Sequence, residues 1–223
     1  MIFKDYPDRD MMALSLADRL ASELGAALRH QERVLFAVPG GTSPGPIFDA
    51  LADVRLDWDR VDIVLTDERW VPVTSDRSNT RLLQERLLRG NAAGARLLPL
   101  VVEGADPEDV LDGLIDAIRP HLPIDVLVLG MGADMHTASL FPGADRLDEA
   151  LSAQAPILLP MRAPGAAEPR ITFTAPVLRG AMSTHIVITG DEKRAALERA
   201  QKLKPVEAPV AAVLPDAVVH WAR

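Results

Sequence analysis

Between Ile124 and Gly143 the chain reads Ile-Asp-Val-Leu-Val-Leu and then Gly-Met-Gly-Ala-Asp-Met-His-Thr-Ala-Ser-Leu-Phe-Pro-Gly. A carboxylate, Asp134, and an imidazole, His136, stand two residues apart, with hydroxyls at Thr137 and Ser139 behind them. Such a pair can move a proton, because imidazole is basic yet neutral near pH 7 and a carboxylate can orient it. The glycines ahead of it allow the backbone to turn sharply where an apolar run ends. A plain turn, with Asp134 capping a helix and His136 in water, uses the same residues. Spacing alone does not separate the two readings.

Three other places collect groups of a similar kind. Thr66-Asp-Glu-Arg-Trp-Val-Pro72 sets three adjacent charges straight after the apolar run Val61–Leu65; a solvated loop is the alternative to a functional one. Pro39-Gly-Gly-Thr-Ser-Pro-Gly-Pro46 follows the run Arg33–Val38 and precedes a helix expected to begin near Pro46. Free N–H groups and the positive end of a helix dipole would converge there on an anion. The loop has neither the Gly-Lys-Ser/Thr of a Walker loop nor a Gly-x-Gly-x-x-Gly order, and a tight turn without ligand fits it equally. Lys193 stands in the first turn of a helix expected after Thr184–Thr189. A cation is mildly unfavourable at that end of a helix, so a functional reason competes with a solvated lysine.

The net charge of −8 sharpens these choices. A phosphorylated ligand is repelled by the molecule as a whole, so a phosphate site has to concentrate Arg, Lys or backbone N–H groups. The same charge speaks against nucleic acid and anionic membranes as partners. With no cysteine in the chain, disulfides, thiolate ligands and thiol nucleophiles are excluded. No apolar run is long enough to cross a bilayer, and Met-Ile-Phe-Lys-Asp-Tyr-Pro at the start lacks the layout of a signal peptide. A cytoplasmic protein is the expectation. Histidines and carboxylates never fall at a spacing such as His-x-x-x-His, so no metal is implied; no cofactor is implied either.

Positioning these groups requires alternating strands and helices. Met12, Leu16, Leu20, Leu24 and Leu28 recur every four residues and predict a long amphipathic helix over 10–28. Strands are expected at 33–38, 61–65, 95–100, 124–129, 155–160, 170–174 and 184–189, with a final one near 218–221. Helices are expected through Leu82–Leu87 with Ser78 or Asn79 as N-cap, from Asp106 to Ile118, over 175–179 and after Gly190. Trp70 is expected to pack its loop down. His121 is read as a surface histidine, and His185 as structural. The prolines flanking 155–160 favour an edge strand, and Met161–Pro169 is the most loop-like segment and the best candidate for a mobile flap. At 223 residues this alternation predicts one domain, 1–223, an α/β fold with a doubly wound, mainly parallel sheet flanked by helices, Rossmann-like. Strand order is not readable.

The stretch Gly130–Gly143 resembles the signature of the 6-phosphogluconolactonases, sugar-lactone hydrolases of the pentose phosphate pathway. Three more stretches resemble that family in the same order: Val38-Pro-Gly-Gly-Thr-Ser43, Thr66–Pro72 with Ser78-Asn79 after it, and Arg170-Ile-Thr-Phe-Thr174. The resemblance implies hydrolysis of 6-phospho-D-glucono-1,5-lactone, with His136 taking a proton from the attacking water. Asp67 or Asp134 would fix the imidazole tautomer, and the lactone carbonyl would lie near Arg69 and Gly132. Gly40, Gly41, Thr42 and Ser43, with Arg170 and Lys193, would hold the 6-phosphate. The implied partner is a small sugar-phosphate lactone, and the protein a monomer or small homo-oligomer. The family usually has Gly between the Asp and the His, whereas Met135 stands here; its side chain would narrow the pocket or demand φ < 0. The runner-up is a glucosamine-6-phosphate isomerase or deaminase, whose ring opening wants an extra carboxylate that Ser139-Leu-Phe-Pro-Gly lacks. A third reading is a non-catalytic sugar-phosphate sensor, for which no DNA-binding module is evident.

Overall fold

The computed structural model describes residues 1–164 and 166–223. In chain order the elements are β1 (Ile2–Asp5), α1 (Arg9–Leu28), β2 (Val34–Val38), α2 (Gly45–Ala52), β3 (Val61–Leu65), β4 (Asp67–Arg69) and α3 (Asn79–Arg86). They continue with β5 (Arg96–Leu98), α4 (Pro107–Ile118), β6 (Val126–Gly130), α5 (Leu147–Leu151), β7 (Leu158–Met161), β8 (Arg170–Phe173), α6 (Ala175–Arg179), β9 (Ser183–Thr189), α7 (Asp191–Ala200) and β10 (Val218–Ala222). Seven strands pair in the order β1-β10-β9-β6-β2-β3-β5, every neighbouring pair parallel.

The centre of this sheet is buried on both faces, which is why β2 and most of β6 read as unbroken apolar runs and β3 as one broken only by Asp62. Asp125 stands just ahead of β6 without harm. Its carboxylate accepts from Leu35 N at 2.7 Å and from Gln31 Nε2 at 2.6 Å, so the charge is satisfied as the strand enters the sheet. Helix α1 is capped by Asp8, whose side chain accepts from Met11 N. It buries the leucine stripe, with Leu16, Leu20 and Leu24 sealed from solvent, each contributing roughly 1.5–3 kcal/mol.

The strand order creates the functional position. From β2 the chain steps outward through β3 to β5, then returns to place β6 on the other side of β2 and steps away through β9 and β10. Connections after β2 and β6 therefore diverge. In an open α/β sheet the crevice at this switch point, beyond the carboxyl ends of the strands, is where ligands bind.

A second sheet, β4-β8-β7, is antiparallel and corrects two expectations. Thr66–Pro72 is not all loop, because Asp67–Arg69 forms β4; and Arg170–Phe173 joins this small sheet rather than the main one. The proline-flanked strand is an edge, as expected, but an edge of the small sheet. β1 was not apparent from the sequence, since only four residues on the outer edge form it. His121 is also corrected: its side chain is 21% exposed and its Nδ1 lies 3.0 Å from Asp62, which also binds Arg33 and Arg96. The segment read as a flap links β7 to β8, and Gly165 within it lies outside the described residues. Trp70 packs its loop down, donating from Nε1 to Ala105 O at 2.9 Å. Among the described residues no helix is long and apolar enough to cross a membrane.

Candidate active site

At the switch point lies an open cleft of about 250 Å³. Pro39–Pro44 border it from the end of β2, Asp67 and Arg69 from β4, Leu129–Gly132 and His136 from the end of β6, Arg170 from β8 and Lys193 from α7. Of the residues singled out in the sequence, Gly40, Gly41, Thr42, Ser43, Asp67, Arg69, Gly132, His136, Arg170 and Lys193 all border it. Asp134 does not. It stands behind the histidine.

Asp134 Oδ1 lies 2.6 Å from His136 Nδ1 and 3.2 Å from His136 N. The hydrogen bond from His136 holds the Asp134 carboxyl below the usual carboxylate range. With the carboxylate ionised, Nδ1 carries the proton and Nε2 keeps its lone pair. Asp67 is engaged elsewhere. It accepts from Ser139 Oγ at 2.5 Å and Thr66 Oγ1 at 3.2 Å and lies 3.7 Å from an Arg170 nitrogen.

Local sequence explains how these groups are held. Paired residues in antiparallel strands share a face, so Asp67, Arg69, Arg170 and Thr172 project together, while Glu68 points the other way. Glu68 is buried and accepts from Asn79 N at 2.9 Å and Thr80 N at 2.7 Å, capping α3 beside the N-cap Ser78. A Cβ on Gly132 would collide with the His136 ring and the Asp134 carboxylate. Its N–H is donated to His136 O at 3.0 Å, so it supplies room for the pair and not a donor to a ligand.

Met135 adopts φ 68°, the left-handed region. Both expectations for it are corrected: φ stays positive, at a cost of roughly 1–2 kcal/mol, and the side chain packs on the core without bordering the cleft.

The cleft is cationic although the chain is acidic. Among the described residues, Arg69, Arg170 and Lys193 face a single bordering carboxylate, Asp67. Burial pushes both the Arg170 and the Lys193 pKa down. Among the described residues, Arg69 Nε and Arg170 Nε are buried donors without an acceptor. An unmet buried donor costs about 1–3 kcal/mol, so these two atoms favour an oxygen acceptor in the cleft. The N–H groups of Gly41, Thr42 and Ser43 likewise find no protein acceptor among those residues.

Two contributors escaped the sequence reading. Asn79, read as a possible cap and as part of a family-like stretch but given no role in the site, is buried, borders the cleft and donates from Nδ2 to Asp67 O at 3.1 Å. Its carboxamide lies where a Cβ on Gly40 would be, which ties α3 to the glycine loop. Phe141 packs on His136 with ring centroids 4.2 Å apart. No hydrophobic alternation marks β4, whose three residues are all charged, and no local signal marks the Asn79 contact.

Fold and cleft together define an open, doubly wound α/β protein with a cationic, histidine-bordered crevice at its switch point. The chain belongs to the family described as glucosamine-6-phosphate isomerases/6-phosphogluconolactonase, which matches residues 7–221. It is 40% identical over 222 residues to the 6-phosphogluconolactonase of Mesorhizobium japonicum, covering 97% of this chain and 93% of that protein. Its fold is similar to the crystal structure of a 6-phosphogluconolactonase from Shewanella baltica, with a TM-score of 0.96 and 30% identity over 100% of this chain and 98% of that one. A putative 6-phosphogluconolactonase from Neisseria gonorrhoeae superposes with a TM-score of 0.91 at 34% identity, covering 100% of both chains.

Proposed function

We propose that this protein hydrolyses 6-phospho-D-glucono-1,5-lactone to 6-phosphogluconate, as a carboxylic ester hydrolase of the pentose phosphate pathway. The observation that carries the reading is the union, in one cleft, of the Asp134-oriented His136 with unsatisfied guanidinium donors. Relatives named 6-phosphogluconolactonase along nearly the whole chain support it.

In this reading Arg170, Lys193, the N–H groups of Gly40 and Gly41, and the Thr42–Ser43 end of the loop take the 6-phosphate. The carbonyl of the lactone points toward Arg69. His136 Nε2 accepts a proton from water as the water oxygen bonds to C1, and the carbonyl electrons move onto oxygen. Arg69 stabilises that oxyanion. When it collapses, the bond from C1 to the ring oxygen breaks and His136 returns the proton to that oxygen. General base action contributes ~10²–10⁴-fold. Asp134 holds the tautomer throughout; Asp67 fixes Ser139 and faces Arg170. No covalent enzyme intermediate, metal or cofactor takes part.

The isomerase or deaminase alternative is weaker because aromatic Phe141, not a further carboxylate, packs on His136. Residues 1–223 are read as a single lactonase domain acting in the cytoplasm, as a monomer or small homo-oligomer without nucleic-acid partners. Freshly prepared 6-phosphogluconolactone, followed against its spontaneous hydrolysis, tests the activity. The protein is expected to accelerate the reaction and His136→Ala to abolish the gain. A wild-type rate equal to the spontaneous one sinks the proposal.

A further inference from the structure

We propose that Phe141 is a positioning residue of this cleft, its ring setting the His136 imidazole and the Arg170 guanidinium at a fixed separation so that both act on one substrate. The inference rests on the lactonase reading above. Each of the two groups is under-restrained without the ring. Among the described residues the His136 ring has one hydrogen bond, to Asp134, and an edge contact of that kind leaves rotation about it open. Arg170 has an unpartnered Nε, and its carboxylate neighbour Asp67 stands at 3.7 Å.

Phe141 supplies the missing contact to each. Its ring lies 4.2 Å from the His136 ring, centroid to centroid, at 30°, and the Arg170 Cζ lies 5.1 Å from its centroid. The guanidinium lies within the roughly 6 Å over which a ring attracts a cation, and the two rings are in direct, tilted contact. The backbone that carries the ring is held. Leu140 N donates to Thr137 O at 3.0 Å, Ser139 N to Thr172 Oγ1 at 3.1 Å and Ser139 Oγ to Asp67. Ser139 and Leu140 are fully buried, so Phe141 is presented from a fixed segment.

An aliphatic residue would fill part of the space without the electron-rich face. That face holds the Arg170 cation at rest, and it favours the imidazolium at the moment His136 has taken its proton. The other charged groups around the histidine are Asp134 on its own loop, Asp67 and Arg69 on β4, Arg170 on β8 and Lys193 on α7.

Phe141→Leu and Phe141→Tyr separate this role from simple packing. With the lactone as substrate, the leucine variant is expected to show kcat lowered and KM raised, each by roughly fivefold, while tyrosine keeps both close to wild type. Inorganic phosphate, titrated calorimetrically, should bind the leucine variant correspondingly more weakly. Unchanged phosphate affinity in Phe141→Leu overturns the proposal, as does a fall in kcat with KM unmoved, or failure of tyrosine to rescue. Absence of phosphate binding to the wild type removes the anion-holding role of Arg170 and the proposal with it. If the leucine variant does not fold, Phe141→Met is judged by the same measurements. A wild type without lactonase activity defeats the earlier reading, and the phosphate titrations then decide whether the ring holds Arg170.

Discussion

Replacing Asp134 by alanine removes the acceptor 2.6 Å from His136 Nδ1 and leaves the cleft lining intact, because Asp134 does not border the cleft. A hydrogen bond to a charged group contributes about 1.5–3 kcal/mol. The Asp134 side chain is 53% exposed, so water screens it and the low end, about 1.5 kcal/mol, applies. At ~1.4 kcal/mol per factor of ten, kcat should fall roughly tenfold. KM should stay within about twofold, since uniform substrate binding is untouched. His136→Ala removes the base itself and should cost ~10²–10⁴-fold. The assay is initial-rate hydrolysis of the lactone at neutral pH, corrected for the spontaneous reaction, for wild type, Asp134→Ala and His136→Ala side by side. An Asp134→Ala variant with unaltered kcat refutes the orienting role. One as inactive as His136→Ala refutes the ranking, and with it the assignment of proton transfer to the imidazole alone.

Gly132→Ala places a Cβ against both members of the pair; it should lower kcat more than Asp134→Ala while thermal unfolding shows the fold retained, and wild-type kcat would refute it. Stability should fall on mild acidification through a buried chain in which Tyr6 donates to His220 Nδ1, His220 Nε2 to His185 Nδ1, and His185 Nε2 to Glu23. Burial, then the neighbouring His185, pushes the His220 pKa down from 6.5 to about 3. The unfolded chain thus binds a proton that the folded chain refuses between those values, so stability drops as pH falls through that window. At pH 5 the loss is roughly 2 kcal/mol, or about 4–8 °C in Tm. A Tm that holds or rises between pH 7 and 5 contradicts this.

Much of the fold was legible because its signals are local. The four-residue leucine spacing of α1 and the mainly apolar strands β2, β3 and β6 depend only on side chains meeting a core on one or both sides. The small sheet was hidden. β4 is three charged residues long, and its pairing partner β8 lies about a hundred residues downstream, so hydrogen bonding rather than hydrophobic pattern defines it. His121 read as a surface residue for a related reason: its partner Asp62 sits on a distant strand.

The sequence by itself determined which chemical groups this protein carries and where each leaves the backbone: a glycine loop after one strand, an acid and an imidazole two residues apart after another, and cations near Arg170 and Lys193. The tertiary structure alone decided which of them meet. It gave the histidine to Asp134 rather than Asp67, made Gly132 the space that admits the pair, and, among the described residues, left Arg69 and Arg170 with unmet Nε donors. The physical reason is range. Propensity and periodicity act over a few residues, whereas the partner of a buried charge is set by strand order and register, which bring together residues far apart in the chain.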